Sequence, residues 1–203
     1  MAEIFGLYLV LTDPVTGYEA CAEAAVETGV RYVQLRMKKR SSQEVLETAR
    51  RLRRITAGSG TLFIVNDDPR LAAAVDADGV HVGEDDGDLA QVRAIVGAER
   101  IVGVSCYNEY PKAEAATAAG ADYVAFGSFF PSGVKPGARR ADFSLLRRAG
   151  RLGVPVVAIG GITAANGAGL VAAGADALAV ITAVFGAADV EAAARAIAAL
   201  RQR

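Results

Sequence analysis

Short apolar runs alternate with longer alanine-rich stretches, and this alternation limits the possible folds more than any other feature of the chain. Eight runs are nearly continuous in hydrophobic residues, as strands buried on both faces of a parallel sheet should be. The predicted strands are Leu7–Leu11, Tyr32–Leu35, Leu62–Val65, Gly79–Val82, Ile101–Val104, Tyr123–Phe126, Val154–Ile159 and Ala177–Ile181. The stretches between them have helical periodicity and predict helices over Tyr18–Glu27, Ser42–Thr56, Pro69–Val75, Leu89–Val96, Tyr110–Ala119, Phe143–Arg151, Ala164–Ala172 and Val190–Leu200.

Residues suited to helix ends support these boundaries. Helix N-caps are predicted at Ser41 or Ser42, Asp68, Asp88 and Asp189. Glycines that suit a left-handed C-terminal position are Gly29, Gly97, Gly120 and Gly174. A weak repeat, Ala-Gly-Ala-Asp before an apolar run, occurs at 119–122 and 173–176, with a looser copy at 77–80. Each copy marks a helix that turns tightly into the next strand.

Eight strand-then-helix units without a break predict an α/β fold, a single compact (β/α)₈ TIM barrel that forms one domain over residues 1–203. An open doubly wound sheet is the alternative. It would need fewer strands and usually carries a glycine-rich fingerprint after the first strand, where this chain has Thr12-Asp13-Pro14. The barrel is therefore the favoured architecture.

Charge and composition exclude several classes of protein. The chain has 22 Lys+Arg against 23 Asp+Glu and a net charge of -1, which argues against a general nucleic-acid binder. No apolar run approaches the roughly 18–20 residues that span a bilayer. Neither a signal peptide nor, with 2 Cys, a disulfide framework is indicated. We expect a cytoplasmic protein that does not bind membranes.

Basic side chains follow the second predicted strand. Gln34, Arg36 and Lys38 alternate along the chain, so they share one face as the strand leaves the barrel. In such barrels the chemistry lies at the carboxyl ends of the strands, and an arginine fork with a lysine suits phosphate or diphosphate. The neighbouring Lys39 and Arg40 are interpreted as solvated loop residues.

Acidic side chains follow the third and fourth predicted strands. Asn66 and Asp67 stand at one strand end, and the loop at 83–88 carries Asp86. Asp67 and Asp86 could together hold Mg²⁺, which typically takes one or two carboxylates plus substrate phosphate oxygens. Facing the basic residues across the mouth, they suit a metal–diphosphate complex.

Four further loops complete the predicted site. Ser105, after the fifth strand, could donate to a phosphate, and the long loop at 127–137 carries Lys135 as a mobile lid would. The loops after the seventh and eighth strands carry Gly160-Gly161 and Ile181-Thr182. Exposed backbone N–H groups in these two loops suit the binding of a second phosphate. His81 is expected to be a hydrogen-bonded barrel histidine, and a nucleophilic pair with Cys106 is the disfavoured alternative.

Taken in order, these residues resemble the thiamine-phosphate synthase family over essentially the whole chain. The resemblance rests on Gln34-x-Arg36-x-Lys38, Val65-Asn66-Asp67, Asp78-Gly-Val-His-Val-Gly83 with Asp86, Gly103-Val-Ser105, Gly127 through Lys135-Pro136, Ala158-Ile-Gly-Gly-Ile162 and Val180-Ile-Thr182. It implies an Mg²⁺-dependent transferase that joins a hydroxymethylpyrimidine diphosphate to a thiazole phosphate. Pyrophosphate would leave first, and the thiazole nitrogen would capture a pyrimidine carbocation.

The resemblance also implies residue roles. Gln34 and Asn66 would contact the pyrimidine, Arg36, Lys38, Ser105 and Lys135 would hold the diphosphate, Asp67 and Asp86 would bind Mg²⁺, and Gly160, Gly161, Ile181 and Thr182 would take the thiazole phosphate. Ser132 in the lid would also contact substrate. The implied partners are these two small molecules, with no nucleic acid and no membrane, and a homo-oligomer is left open.

The chain departs from the family pattern at Glu84, Tyr107 and Val134. The last removes a hydroxyl from the usual lid motif and puts one lid contact in question. Three other functions stay open: a thiazole tautomerase of the same superfamily, a non-catalytic binder of thiamine precursors, and, more remotely, a sugar-phosphate isomerase.

Overall fold

Eight parallel strands pair in sequence order, and the last pairs with the first to close a barrel. The structure is a computed structural model that describes residues 6–84, 86–131, 140–187 and 189–201. The strands are β1 (Gly6–Leu11), β2 (Tyr32–Leu35), β3 (Leu62–Asn66), β4 (Gly79–Val82), β5 (Ile101–Tyr107), β6 (Tyr123–Phe126), β7 (Val156–Ile159) and β8 (Ala177–Val180). The predicted (β/α)₈ barrel is confirmed, and the open sheet was the wrong alternative.

Helices follow the strands and surround the barrel. In the described residues they are α1 (Tyr18–Glu27), α2 (Ser42–Thr56), α3 (Pro69–Ala74), α4 (Leu89–Val96), α5 (Tyr110–Ala118), α6 (Phe143–Ala149), α7 (Ala168–Ala172), α8 (Thr182–Phe185) and α9 (Val190–Ala198), with a 3₁₀ turn at Ala199–Arg201. Within the described ranges, no helix combines the length and the apolar character that crossing a bilayer requires.

Strand alternation divides the core into two apolar layers. One layer lies between the strands and the helices, and it contains Leu9, Val33 and Phe63. The other fills the barrel interior and is built from alternate residues on the same strands. Its buried members are Tyr8, Val10, Tyr32, Ile64, Ile101, Tyr123, Ala125, Val157, Ala177 and Ala179. Because every strand has a packed face on each side, the strands read as continuous apolar runs.

The weak sequence repeat has a structural basis in three aspartates at the amino ends of β4, β6 and β8. Each carboxylate accepts a hydrogen bond from a backbone N–H of the preceding strand: Asp78 from Phe63 at 2.8 Å, Asp122 from Val102 at 2.7 Å and Asp176 from Val156 at 2.8 Å. In return, the backbone N–H of each aspartate donates to the backbone carbonyl of its partner, which is Phe63 for Asp78, Val102 for Asp122 and Val156 for Asp176. The repeat therefore clamps neighbouring strands together.

The predicted caps are confirmed, with Ser41 rather than Ser42 at the start of α2. The side chains of Ser41, Asp68, Asp88 and Asp189 accept hydrogen bonds from the backbone N–H groups of Glu44, Leu71, Ala90 and Ala192. Asp142 caps α6 in the same way, which was not predicted. Gly29, Gly97, Gly120 and Gly174 all have positive φ, between 71° and 107°, as the C-terminal prediction requires.

Several boundaries shift by one or two residues from the prediction, and three differences are larger. Helix α7 begins at Ala168 instead of Ala164, because the Asn166 side chain accepts from the Thr163 N–H and holds a turn there. Helix α8 was missed, since its 4 residues are too few to show periodicity. Strand β5 runs on to Tyr107 past an irregularity after Ser105, which brings Tyr107 to the mouth of the barrel.

Candidate active site

A cavity of about 180 Å³ opens at the carboxyl ends of the strands, within the mouth of the barrel. The predicted site residues that line it are Gln34, Arg36, Asn66, Ser105, Gly160 and Ile181. Its floor is formed by the aromatic rings of Tyr8 and Tyr123 and by aliphatic side chains such as Val157. A flat heterocycle fits such a floor, because aromatic faces bind planar rings while the polar rim sets their orientation.

The strand-end amides lie at different depths. Gln34 is only 4% exposed, and its Nε2 donates to the Tyr8 hydroxyl at 2.9 Å. Asn66 is half-buried at the end of β3, where it pairs in register with His81. Both therefore present polar groups to the cavity from adjacent strands, as alternation along β2 and β3 predicts.

The two predicted cations occupy different environments. The Arg36 side chain lines the cavity, and none of the described residues forms a hydrogen bond or an ion pair with its guanidinium. Lys38 lies further out, and its Nζ is 2.6 Å from Asp67 Oδ2. Lys39 is exposed, and Arg40 pairs with Asp13 at 3.0 Å, which confirms that these two belong to a solvated loop. Among the residues that the structure describes, the arginine fork is therefore unpaired and open to an anionic ligand.

Asp67 and Asp86 lie together although they come from different loops. Asp67 has a φ of 65°, a region that aspartate tolerates better than most residues, and its carboxylate is close enough to Asp86 to influence the pKa of that carboxyl. Burial raises the pKa of Asp86; the Gly83 N–H, which donates to its Oδ2 at 2.6 Å, lowers it, and the charge of Asp67 raises it. Two repelling carboxylates favour the arrival of a cation between them.

This carboxylate pair fits Mg²⁺ only together with a ligand. In the described part of the chain, no three His, Cys, Asp or Glu side chains cluster so that they could hold a metal. Two carboxylates are nevertheless the usual protein share at a magnesium ion whose other ligands are water and substrate phosphate oxygens. The hard oxygen donors suit Mg²⁺ better than a softer transition metal.

Ser105 is joined to an interior network that sequence reasoning missed. Its Oγ lies 2.8 Å from Nε2 of His81, and Nδ1 of His81 lies 2.8 Å from the Tyr123 hydroxyl. The prediction of a hydrogen-bonded barrel histidine is confirmed. The sequence did indicate that Tyr8 and Tyr123 occupy inward positions of their strands. It could not indicate whether each tyrosine forms a hydrogen bond or only fills space in the barrel interior.

The alternative pair of His81 with Cys106 is wrong. Both nitrogens of His81 already face Ser105 and Tyr123, and the Cys106 thiol contacts the Val104 carbonyl. Burial raises the pKa of Cys106 to about 12, so its thiolate is scarce at neutral pH. Alternation along β5 turns Ser105 toward the cavity and Cys106 toward the helices.

A second cavity, of about 260 Å³, adjoins the first at the ends of β7 and β8. Gly160, Gly161, Ile181 and Thr182 line it. The two glycines have φ of 107° and 63°, and a methyl group on Gly161 would meet the Pro131 carbonyl oxygen at 2.4 Å. No described residue accepts a hydrogen bond from the Gly161 or Thr182 N–H groups. Free backbone donors at a tight turn suit a phosphate.

The lid prediction falls on residues that the structure does not describe. Ser132, Val134 and Lys135 lie outside the described ranges. The preceding residues are described: the Phe130 N–H donates to the Gly160 carbonyl at 3.0 Å, and a methyl group on Gly160 would meet Ser128 Oγ at 2.1 Å. The base of this loop therefore packs directly on the glycine turn of the second cavity.

The remaining departures from the family pattern form a small cluster of their own. Glu84 accepts from Nζ of Lys112 at 2.8 Å, and this ammonium lies 5.1 Å from the centroid of the Tyr107 ring. Tyr107 also lines the first cavity. Glu84 is thus directed to Lys112, away from the cavity, whereas Tyr107 contributes a ring to the cavity wall.

The described part of the chain combines a closed parallel barrel with two adjoining cavities, one lined by an arginine and one by backbone N–H groups that no described residue pairs with. This is an arrangement typical of TIM-barrel enzymes that act on phosphorylated substrates. The family model for thiamine monophosphate synthase matches residues 7–184. The chain belongs to this family.

Relatives and solved structures support the same placement. The thiamine-phosphate synthase of Methylobacillus flagellatus is 48% identical over 178 residues, covering 87% of this chain and 85% of the relative. That of an Azoarcus species is 50% identical over 179 residues and covers 87% of each. The solved thiamine phosphate pyrophosphorylase of Pyrococcus furiosus superposes with a TM-score of 0.90 at 33% identity, covering 98% of this chain and 96% of that one.

Proposed function

We propose that the protein is an Mg²⁺-dependent thiamine-phosphate synthase. It couples 4-amino-5-hydroxymethyl-2-methylpyrimidine diphosphate with thiazole phosphate and gives thiamine phosphate and pyrophosphate. The observation that carries the proposal is the junction of the two cavities, which share Ile159, Gly160, Ala179 and Ile181 in their walls. Two phosphorylated heterocycles, one bound in each cavity, would come into contact at this shared wall.

The first cavity takes the pyrimidine diphosphate. Gln34 and Asn66 contact the ring, while Arg36, Lys38 and Ser105 bind the diphosphate, together with Lys135 and Ser132 from the loop after β6. Asp67 and Asp86 would hold the Mg²⁺, which neutralises charge on the leaving diphosphate. Burial is the main cause of the raised pKa of Asp86, and the charge of Asp67 raises it further, so a cation bound between the two carboxylates would stabilise both as anions.

The second cavity takes the thiazole phosphate. The free N–H groups of Gly161 and Thr182 bind its phosphate, and Gly160 and Ile181 complete the wall. Both glycines line this cavity with positive φ, a backbone conformation that residues other than glycine rarely adopt.

The reaction requires leaving-group stabilisation and alignment, not a protein nucleophile. The pyrimidine–oxygen bond breaks, its electron pair leaves with pyrophosphate, and the thiazole nitrogen then donates an electron pair to the resulting carbocation. Arg36, Lys38 and Ser105 bind the charge that develops on the departing group. Holding the thiazole in the adjoining cavity makes capture effectively unimolecular. The buried, protonated Cys106 is consistent with this route.

An assay with both substrates tests the proposal. Purified protein with Mg²⁺ should release pyrophosphate and thiamine phosphate in equal amounts, and a chelator should stop turnover until Mg²⁺ is restored. Absence of product in the presence of Mg²⁺ would rule out the synthase. In that case, tight binding of both substrates by calorimetry would identify a non-catalytic binder instead.

A further inference from the structure

Five side chains from five strands form a continuous hydrogen-bonded chain through the barrel interior. Gln34 Nε2 lies 2.9 Å from the Tyr8 hydroxyl, and the hydroxyls of Tyr8 and Tyr123 are 2.8 Å apart. His81 Nδ1 lies 2.8 Å from the Tyr123 hydroxyl, and His81 Nε2 lies 2.8 Å from Ser105 Oγ. Both ends of the chain, Gln34 and Ser105, line the first cavity. The chain thus connects two separate polar points of the cavity through its floor.

The number of protons at each link decides the direction of the chain. Gln34 donates to Tyr8, so the single proton of Tyr8 is available for Tyr123, and the proton of Tyr123 for Nδ1 of His81. A neutral imidazole that accepts at Nδ1 carries its proton on Nε2 and donates it to Ser105. The proton of Ser105 is then left over, and it can only point away from the imidazole.

The ionisable side chains of this hydrogen-bonded chain are buried: His81 is 9% exposed, Tyr8 is 2% exposed and Tyr123 is fully buried. Burial raises the pKa of both tyrosine hydroxyls above the usual range, so each tyrosine keeps its single proton at neutral pH. The direction of the hydrogen bonds therefore follows from the distances between the five side chains and from the one proton on each tyrosine.

The barrel interior is shaped to hold these rings in place. A methyl group on Gly103 would lie 1.9 Å from the Tyr123 ring, so glycine at this position makes room for the ring. The His81 and Tyr123 rings stack with centroids 5.5 Å apart, and the Tyr8 ring stacks on Tyr32 at 5.4 Å. Tyr123 is fully buried. The geometry is thus imposed by packing and does not depend on the hydrogen bonds alone.

We propose that Tyr8 and Tyr123 are positioning residues that fix His81 as the Nε2–H tautomer and thereby leave the Ser105 hydroxyl as a donor for the substrate diphosphate. The same orientation of Gln34 leaves its Oε1 as an acceptor for the amino group on the pyrimidine. If the hydrogen bonds ran in the opposite direction, Gln34 Oε1 would accept from Tyr8, and the Ser105 hydroxyl would donate to His81 and not to the diphosphate. The inference rests on the proposed function for its ligand, but the tautomer itself does not.

His81 is the sole histidine of the protein, so its tautomer can be measured directly. Protein carrying ¹⁵N-labelled histidine, with any polyhistidine tag removed, gives a single imidazole spin system in a long-range ¹H–¹⁵N spectrum. We expect a neutral ring protonated at Nε2 at pH 7. A ring protonated at Nδ1, or an even mixture of the two tautomers, would overturn the proposal. No substrate is needed, so this result stands or fails separately from the enzymatic assignment.

A double-mutant cycle tests the consequence for catalysis. Tyr123→Phe keeps the ring and removes the donor to His81, and we expect kcat to fall about tenfold with little change in KM for the thiazole phosphate. In the Ser105→Ala background the same substitution should have no further effect, because its action passes through that hydroxyl. An equal loss of kcat in both backgrounds would show a merely structural role and contradict the proposal.

Tyr32→Phe is the matched control, since Tyr32 is a fully buried interior tyrosine stacked on Tyr8 but is not a link of the chain. Its turnover should stay close to that of the unsubstituted protein. A tenfold loss there as well would assign the effect to general loss of interior hydroxyls. Should Tyr123→Phe fail to fold, the ¹⁵N spectrum of the unsubstituted protein still decides the proposal.

Discussion

The ammonium of Lys38 lies 2.6 Å from a carboxylate oxygen of Asp67, so the residue expected to bind diphosphate and the residue expected to bind its metal are paired with each other. Their side chains are 52% and 32% exposed, so the pair lies at the surface rather than in the core. An exposed pair of this kind contributes little to stability. Under the proposed function, both groups exchange this mutual pairing for contacts with the diphosphate and its metal.

Replacing Asp67 should separate activity from stability. Asp67→Asn should lower turnover about a hundredfold or more, because an amide is a weak ligand for Mg²⁺ and leaves the diphosphate charge less neutralised. The free energy of unfolding should change by less than about 1 kcal/mol. Steady-state kinetics and urea denaturation measure the two quantities. Glu191→Gln, which breaks the exposed pair with Arg195 on α9, is the control and should change neither.

The stability of the fold should depend on the protonation of His81. Burial lowers the pKa of His81 to about 4, so the unfolded chain binds this proton more readily than the folded one. The contribution is present above pH 6.5 and is lost as the pH falls through about 4, by about 3 kcal/mol in total. Denaturation at several pH values should show a shallower acid dependence for His81→Gln. Identical slopes for both proteins would contradict the burial argument.

The aspartate clamp between neighbouring strands should contribute to stability and not to catalysis. The Asp122 carboxylate accepts from the Val102 N–H and from Arg93, each at 2.7 Å, at the barrel end opposite the site. Asp122→Ala should cost about 2 kcal/mol of unfolding free energy, as expected for loss of charge-assisted hydrogen bonds. Thermal and denaturant unfolding measure this cost. A variant of unchanged stability, or one that is stable but inactive, would be inconsistent with a structural clamp.

Gly103 should be intolerant of a side chain because of Tyr123. In Gly103→Ala the added methyl would sit 1.9 Å from the ring, and overpacking of this kind should cost roughly 3 kcal/mol or more. In the double variant, Tyr123→Leu replaces the ring with a smaller side chain, which should recover part of the unfolding free energy that Gly103→Ala loses. The check is the coupling energy from unfolding of both single variants and the double variant. Strictly additive costs would mean that the two positions do not compete for space.

The fold could be predicted from the sequence because the apolar runs, the helix caps and the C-terminal glycines all agreed. Eight apolar runs, caps such as Asp68 and C-terminal glycines such as Gly174 all predicted the same barrel. The misses occurred where local hydrogen bonds override periodicity. The Asn166 side chain holds a turn that delays α7, and α8 is a single turn after β8 that carries no periodic signal.

The site was partly readable for the same reason. Alternation placed Gln34 and Arg36 in the cavity, and the Asp67–Asp86 pair followed from the two acidic strand ends. The tyrosine links were not predictable. A tyrosine in an inward position can fill space or donate a proton, and only the distance between the Tyr8 and Tyr123 hydroxyls across the barrel separates these roles.

The most direct test is a crystal structure of the protein with pyrophosphate and Mn²⁺, whose anomalous signal identifies a metal that can replace Mg²⁺. We expect one metal ion bound by the carboxylates of Asp67 and Asp86 and by diphosphate oxygens, with Arg36 on the same anion. Pyrophosphate bound without a metal at these two carboxylates, or bound away from the first cavity, would contradict it.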